Sequence, residues 1–311
     1  MPQMTPGAAR VADPVLTEFA IGYTQAGIVY PVLFPRIQVG TRAGKIVVFG
    51  KQAFKRTRAP RAPGSNVRRI PISYGSATYS IQDDALDAQV PRELVEEASA
   101  GPGINLAMGA VSVVRGVQEN GLEYAAAQLA RNPNNYASGN KLALSGNSQW
   151  SDPSSDPVQA VTDAREAVRK AIGRRPNVGI FPAAVMAKLS NHPKIVERYK
   201  YTGRDSITAD MLAALFGLEK LAVGDAIDAD DSDATSDIWG KDVVLAYTDP
   251  APVRTLGTPT YGMTYALSGY PVVEPERWDG DTRSWLYGTT EAASPVITAP
   301  DAAFLFQNAV A

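Results

Sequence analysis

Residues 104–131 carry the strongest helical pattern in the sequence. Uncharged residues recur there at spacings of three or four, which places them on one apolar face of a helix. They are Ile104, Met108, Val111, Val114, Gln118, Leu122, Ala125 and Leu129. Asn132 and Pro133 end the pattern, because the residue before a proline avoids helical dihedral angles. A helix of about 28 residues is roughly 42 Å long, which predicts a spine that crosses the whole molecule.

Residues 1–40 are predicted to form an extended arm. Prolines interrupt this segment and prevent a long helix from running through it. They are Pro2, Pro6, Pro14, Pro31 and Pro35. Residues 15–20 favour a short helix, and residues 28–34 favour an apolar extended segment. An apolar arm needs a covering surface, which is either the rest of its own chain or a neighbouring molecule.

Residues 41–82 have the pattern of a long β-hairpin. Residues 45–49 and 69–79 are rich in β-branched and aromatic side chains, which favour strands. The connection between them is basic and contains no acid. Its basic residues are Lys51, Lys55, Arg56, Arg58, Arg61 and Arg68, and Arg69 lies just beyond it. Because a connection this long and this charged has no place in a core, we expect it to project from the molecule.

A cluster of acids follows the hairpin directly. Its members are Asp83, Asp84, Asp87, Glu93, Glu96 and Glu97. Segregated charge of this kind is expected if the basic projection of one copy docks on the acidic surface of another. Two alternatives stay open at this point: both faces are simply solvated, or the basic run contacts nucleic acid. Phe54 is the one aromatic side chain in that run for stacking on bases.

A second helix is predicted from residue 156 to residue 173. Asp156 and Pro157 have the pattern of a helix start, an N-cap followed by proline at the first helical position. Gly173 has the pattern of a helix end. Its buried face is expected to contain Val158, Val161, Ala164, Val168 and Ile172.

Shorter elements are predicted in the rest of the chain. A strand at 177–181 precedes a helix at 182–189, and Thr208 or Ser206 caps a further helix that Gly217 ends. From residue 218 onward the sequence favours strands, interrupted by an acidic loop. That loop covers residues 225–237, and the strands are expected at 218–223, 243–247, 260–267, 270–274 and 284–287.

The sequence predicts no catalytic, cofactor-binding or metal-binding residue. The chain contains no cysteine and a single histidine, His192, which excludes thiolate chemistry and leaves one imidazole for any triad. Gly101 and Gly103 precede a helix but lack the third glycine of a phosphate-binding loop. In the acidic loop, Asp233 and Trp239 occupy the positions where a calcium loop needs glycine and glutamate.

Composition is that of a packed, nearly neutral protein. The chain has 311 residues, 45% of them apolar, and a formal net charge of −2. A dedicated nucleic-acid binder is usually basic, so the charge is more typical of a container wall than of a DNA reader. No stretch approaches the ~20 apolar residues of a membrane helix. Residues 1–10 lack a secretory pattern, so we expect synthesis and use in the cytoplasm.

Taken in order, these segments resemble the major capsid protein family of tailed bacteriophages, with the Hong Kong 97-type α+β fold. The resemblance covers the whole chain and rests on the order and character of its segments. A late stretch from Ile238 to Tyr247, an aromatic-glycine turn that leads into a core strand, resembles segments near the end of such proteins.

The resemblance implies a domain plan and an assembly. The N-terminal arm would be residues 1–40, the E-loop 41–82 and the P-domain 83–172, with the spine helix at about 104–131. The A-domain would be 173–280, and 281–311 would return to the P-domain and form the C-terminal tail. Copies of the chain would form hexamers and pentamers, which close an icosahedral virion head around double-stranded DNA.

Further partners are also implied by the resemblance. They are a portal protein, an optional decoration protein and packaged DNA in non-specific proximity, with no membrane contact. Some relatives begin with a scaffolding segment, whereas this sequence starts almost at once with the arm, so we predict a separate scaffolding protein. Lys51 and Lys55 are candidate donors for the covalent crosslinks that some relatives form, but we predict no crosslink, because no asparagine acceptor is identified.

Three alternatives remain open on the sequence alone. The first is an encapsulin-type compartment shell, which shares the fold and encloses protein cargo. The second is a soluble α/β enzyme with an unrecognised site, and the third is a phage tail or decoration protein.

Overall fold

The computed structural model describes most of the chain. The described residues are 16–17, 20–21, 27–48, 60–61, 63–64, 66–67, 75–100, 105–199, 207–230, 232, 234–249 and 259–311. Their α-helices are α1 (Tyr30–Leu33), α2 (Arg92–Ala100), α3 (Leu106–Arg131), α4 (Pro157–Ile172), α5 (Ala183–Ser190), α6 (Pro193–Tyr199) and α7 (Ala209–Phe216).

The strands lie mostly in two runs, before α2 and after α7, and together with the helices they give an α+β fold, as predicted. They are β1 (Arg36–Val39), β2 (Ala43–Val48), β3 (Gly75–Ser80), β4 (Asp83–Pro91), β5 (Lys141–Ala143), β6 (Val178–Pro182), β7 (Lys220–Gly224), β8 (Ile227–Ala229), β9 (Thr235–Asp237), β10 (Val243–Ala246), β11 (Gly262–Leu267), β12 (Val272–Val273), β13 (Arg277–Asp279), β14 (Ser284–Ile297) and β15 (Ala303–Gln307).

The 14-residue strand β14 organises a six-stranded sheet. It pairs antiparallel with β4, from Ser284 opposite Pro91 to Ala292 opposite Asp83. Its last residues pair with β11, which in turn pairs in parallel with β1. β12 and β13 also pair with β14. The sequence predicted only residues 284–287 as strand here. Glu291 and Pro295 interrupt the apolar pattern of a strand, so the remainder of β14 was not predicted.

A second sheet has the order β5-β15-β10-β6-β7. β6 and β7 are parallel, whereas β10 is antiparallel to both β6 and β15. β6 and β10 are buried along their whole length, because helices and neighbouring loops cover the sheet. Trp150 and Trp239 are among the largest fully buried side chains of this core.

The helix α3 connects the two sheets. It packs across β14 and β4 through its middle turns. In its last turn, Nε of Arg131 donates to Asp242 at 2.8 Å, and Nη1 donates to the carbonyl of Ile238 at 2.9 Å. The predicted spine is therefore present. It begins after Asn105, whose side chain accepts a hydrogen bond from the Met108 amide at 3.1 Å.

The predicted second helix is confirmed at both ends. Asp156 caps α4 by accepting from the Gln159 amide at 3.0 Å, and Gly173 ends it in the left-handed region at φ 73°. All five residues of the predicted face are buried. The base of the hairpin is also confirmed, because β2 pairs with β3 from Ala43 opposite Ser80 to Val48 opposite Gly75.

Two local predictions are wrong. Residues 28–34 were expected to be extended, but α1 forms there, because Pro31 occupies a first-turn position where its missing N–H costs nothing. The acidic segment 225–237 was expected to be a loop, but β8 and β9 form an antiparallel hairpin. Asp230 organises its turn by accepting from the amides of Ser232 and Ala234.

Candidate functional site

The buried face of α3 is ionic in its middle turns. Arg115, Gln118, Glu119 and Glu123 are 2%, 1%, 9% and 0% exposed. The face predicted from the sequence is confirmed at Val114, Gln118 and Leu122, which are buried. The burial of the charged residues Arg115, Glu119 and Glu123 beside them was not predicted. Buried charges are stable only when partners satisfy them, and the partners here come from distant segments of the chain.

Arg115 lies between two carboxylates. Its Nη1 donates to Glu291 of β14 at 2.9 Å, and its Nη2 donates to Glu119 at 2.5 Å. From β1, Nη2 of Arg36 donates to the second oxygen of Glu291 at 2.6 Å. Two guanidinium groups thus balance two carboxylates, which offsets the cost of taking the charges out of water. The network fixes α3, β14 and β1 to one another.

Glu123 anchors α1 to the same helix. One carboxylate oxygen accepts from the amides of Val29 and Tyr30 at 3.0 and 2.8 Å. The other accepts from the indole N–H of Trp239 at 2.5 Å. Burial raises the pKa of this carboxyl above its ordinary value of 4.5, and the three donors counteract part of that rise. Residues 27–39, the end of the predicted arm, are therefore bound into the core of their own chain.

The acidic cluster lies on β4 and α2, and all six of its members are exposed: Asp83, Asp84, Asp87, Glu93, Glu96 and Glu97. Half of them bind arginines of their own chain. Asp83 pairs with Arg42. Asp87 pairs with Arg277 at 2.7 Å, and Glu96 pairs with Arg92 at 2.6 Å.

The other three acids have a different environment. Within the described part of the chain, Asp84, Glu93 and Glu97 form no ion pair at 4.0 Å or less. These three carboxylates are therefore the part of the cluster that is open to a cation from another molecule.

Arg61 is the one predicted basic docking residue that the structure describes, and it is exposed. The predictions for Lys51, Lys55, Arg56, Arg58, Arg68 and Arg69 lie outside the described residues. The strands that hold this segment are fixed at their base. Ile46 and Tyr79 pack with Met263 and Tyr265 of β11, and the rings of Tyr79 and Tyr265 stack at 4.3 Å.

An aromatic groove of about 390 Å³ lies beside the acidic cluster. Trp278 and Trp285 form one wall with rings 5.2 Å apart, and Arg92, Val95 and Glu96 of α2 form the other. Trp278 is 46% exposed. No local pattern in the sequence predicts this groove, because its two walls are about 190 residues apart in the chain and meet only through the pairing of β4 with β14.

The single histidine, which was the one candidate for acid–base catalysis, lies in a buried position. His192 is 3% exposed, and its Nε2 lies 3.2 Å from both the Ser155 hydroxyl and the Asp152 carbonyl. Asp152 contacts the imidazole through its backbone carbonyl oxygen and not through its carboxylate. Ser155, His192 and Asp152 therefore do not form a catalytic triad. Among the described residues, no group of three His, Asp or Glu side chains is placed to hold a metal ion, and no helix is long and apolar enough to cross a membrane.

Comparison with known proteins places these features in one family. A family model described as phage major capsid protein E matches residues 123–307. The major capsid protein of Burkholderia phage BcepMu is 37% identical over 304 residues, which cover 96% of this chain and 97% of that protein. The major capsid protein of Pseudomonas phage JBD67 is 30% identical over 311 residues, with the same coverage.

A solved structure agrees over the same length. The crystal structure of a phage-related protein from Bordetella bronchiseptica RB50 has a TM-score of 0.82 and 39% identity, and the match covers 97% of this chain and 98% of that one. The encapsulin of Synechococcus elongatus PCC 7942 has a TM-score of 0.51 at 11% identity, with 96% of each chain covered. That second likeness shows a shared fold alone.

The two sheets, the spine helix and the base of the β2–β3 hairpin define a shell-forming protein with the Hong Kong 97-type fold. The chain belongs to the phage major capsid protein E family. It is a phage major capsid protein, a structural component of the virion head and not an enzyme. The family resemblance stated from the sequence is confirmed, and the encapsulin and enzyme alternatives are not supported.

Proposed function

We propose that this capsid protein assembles into hexamers and pentamers, which close an icosahedral shell around double-stranded DNA. The observation that supports this most directly is the separation of its charged surfaces. The basic connection between β2 and β3 starts after Val48, at the far end of a hairpin whose base lies near Arg42 and Asp83, at one end of the β4–β14 pair. The aromatic groove and the acids of α2 lie at the other end. Eight residue steps along β4 separate these ends by roughly 26 Å.

Such a separation favours contact between copies over contact within one copy. The basic E-loop of one subunit would lie on β4 and α2 of its neighbour. Glu93 and Glu97 of α2, away from the hairpin, would receive its arginines and lysines, since they have no ion pair of their own in the described structure. Asp83, Asp87 and Glu96 would contribute less, because each already binds an arginine. Each contact is weak, and closed symmetry makes the sum large.

The structure also favours a revised domain plan. We propose that the six-stranded sheet and α3 form the P-domain, with the E-loop at 41–82 projecting from it. The five-stranded sheet and α4 to α7 would form the A-domain. This A-domain would include β5, α4 and β15, beyond the range 173–280 predicted from the sequence. Residues 27–39 would belong to the P-domain, and so would Leu16, Thr17 and Ala20, because Leu16 and Ala20 are buried beside Val273 and the Thr17 hydroxyl accepts from the Val273 amide at 3.1 Å. The residues before Leu16 would then be the part of the arm that can reach a neighbour.

The portal, scaffolding and decoration proteins stay predictions. Electron microscopy of the purified recombinant chain, alone and with scaffold candidates from its gene neighbourhood, tests the assembly. Closed shells or rings of five and six subunits are the expected result. A stable monomer or dimer under every condition would contradict the proposal. The packaged molecule is tested separately, by nuclease treatment of opened heads.

A further inference from the structure

A basic patch lies at the end of α4 that has no part in the proposed E-loop contact. Its residues are Arg165, Arg169, Lys170, Arg174 and Arg175. Glu166 is the one acid among residues 165–175, and it binds Arg169 at 2.5 Å. The other four basic residues have no carboxylate partner within the described part of the chain. The patch therefore carries surplus positive charge.

The contacts of these side chains hold them in place without neutralising them. Arg165 donates from Nη2 to the carbonyl of Gly217 at 2.8 Å, and its buried Nε has no partner among the described atoms. Burial and the charge of Arg175 lower the pKa of Arg165. Arg174 lies over the ring of Tyr247 at 5.3 Å and donates to its hydroxyl at 2.9 Å. Neighbouring positive charges such as Arg165 and Arg175 repel one another, and an anionic partner would relieve that repulsion.

The hairpin β8–β9 carries the opposite charge. Residues 225–237 contain six aspartates and no basic residue. Asp225, Asp230 and Asp237 are exposed, and Asp228 is half-buried. Over the described residues of this hairpin, no aspartate forms an ion pair. Asp230 accepts only from its own turn, at Ser232 and Ala234. The hairpin thus presents carboxylates that are free to accept hydrogen bonds from guanidinium groups.

The two surfaces lie at opposite ends of the parallel pair β6–β7. The patch is beside the end where Val178 faces Lys220, because Gly173 to Asn177 lead directly into β6. The hairpin follows the other end, where Pro182 faces Gly224. Five residues of strand separate these ends by roughly 16 Å, so the two surfaces do not pair within one chain. β7 is also an outer strand of its sheet.

We propose that the basic patch of one subunit docks on the acidic hairpin of the next subunit, and that this head-to-tail contact closes the capsomer ring. A contact between two different surfaces of identical copies generates a ring when its rotation closes. Arginine is well suited to it, since its planar guanidinium binds a carboxylate through two parallel hydrogen bonds. A complementary surface on the same chain, together with a net charge of −2, favours this partner over the phosphates of DNA.

The absence of native cysteine allows a direct test. Arg175→Cys and Ala234→Cys are combined, and assembled shells are oxidised and run on a non-reducing gel. A ladder of covalent oligomers up to the ring size is expected. A disulfide within one chain is excluded, because its Cα atoms must lie within about 7 Å. Asn147→Cys with Ala234→Cys is the matched control, since Asn147 is exposed near β5 at the opposite edge of the sheet. Crosslinking at the control level in intact shells would overturn the proposal.

Charge reversal provides an independent measurement. Lys170→Glu with Arg175→Glu should reduce the yield of rings and shells by about tenfold or more, because like charges across an interface oppose association. Adding Asp225→Lys and Asp237→Lys should restore the yield by exchanging the two charges. A reversed patch that assembles normally but retains less DNA would assign it to nucleic acid and overturn the proposal. So would a loss of assembly that the exchange does not repair.

Discussion

Arg115 of α3 and Glu291 of β14 form an ion pair of 2.9 Å in which each side chain is only 2% exposed. The two residues are 176 positions apart in the sequence. Their contact fixes the spine helix to the long strand at one point of the interior, where water does not compete for either charge.

Removing one member of this pair should be strongly destabilising. We expect Arg115→Met to lower the free energy of unfolding by about 3–5 kcal/mol, because Glu119 and Glu291 then share a single arginine, Arg36. Urea unfolding of the unassembled subunit measures the loss. Arg92→Met is the matched control, since its pair with Glu96 has both side chains 60% exposed, and should change stability by less than about 1 kcal/mol. Equal effects of the two substitutions would contradict the assignment of a buried network.

Glu123 should give stability a specific dependence on pH. Because burial raises the folded pKa of this carboxyl above 4.5, the native state binds its proton more tightly than the unfolded state. Its contribution is therefore fully present below about pH 4.5 and is lost as the pH rises through the folded pKa. We expect the stability gap between the native protein and Glu123→Gln to widen as the pH falls from 7.5 toward 5.

Unfolding at several pH values measures this gap. Glu166→Gln is the control of opposite sign, because Arg169 lowers the pKa of Glu166. The contribution of Glu166 to stability is present above its unfolded pKa and is lost only as the pH falls through its lower folded pKa. The difference in stability between the native protein and Glu166→Gln should therefore stay constant between pH 5 and 7.5. A gap for Glu123→Gln that narrows on acidification would show that burial does not control this carboxyl.

Two glycines should respond to alanine in opposite directions. A Cβ on Gly224 would lie 2.7 Å from the indole of the fully buried Trp239, so Gly224→Ala should destabilise by about 1–3 kcal/mol through overpacking. A Cβ on Gly121 of α3 meets no atom within 4 Å, so Gly121→Ala should stabilise the helix by about 0.5–1 kcal/mol. Thermal unfolding of the two variants side by side tests both signs, and destabilisation by Gly121→Ala would show that this face of α3 is covered.

The E-loop contact predicts an assembly defect without a folding defect. Reversal of Arg56, Arg58 and Arg61 to glutamate should prevent shell formation, because the acids of β4 and α2 would then repel the loop. The subunit should keep its thermal midpoint, since Arg61 is exposed and the anchoring strands are unchanged. Sedimentation and electron microscopy give the readout. Lys188→Glu with Arg198→Glu, at exposed positions outside this contact, is the control. Intact shells from the triple variant would exclude the docking role.

Local chemistry allowed much of this fold to be predicted from the sequence. The ends of α4 follow from Asp156 and Gly173, which act within one turn of their own positions. The spine was predicted from its spacing alone, and the base of the hairpin from its β-branched residues. These signals do not depend on where the rest of the chain lies.

What the sequence did not predict depends on contacts between distant segments. Arg115, Glu119 and Glu123 look like surface charges until Glu291, Arg36 and Trp239 are placed beside them. The acidic cluster was predicted as one docking surface, but Arg42, Arg92 and Arg277 already bind three of its members. The spacing of residues within one segment predicts neither set of ion pairs, because the topology of the sheets decides which distant residues meet.

The position of β15 has a consequence for biosynthesis. This strand lies between β5 and β10, and β5 pairs with no other strand of the described structure. The five-stranded sheet therefore stays divided until residue 307 has left the ribosome, although β5 emerges some 160 residues earlier. A nascent chain lacks a finished core and cannot present a complete surface to its neighbours. We therefore expect assembly to begin only after β15 has been synthesised and has joined β5 to β10.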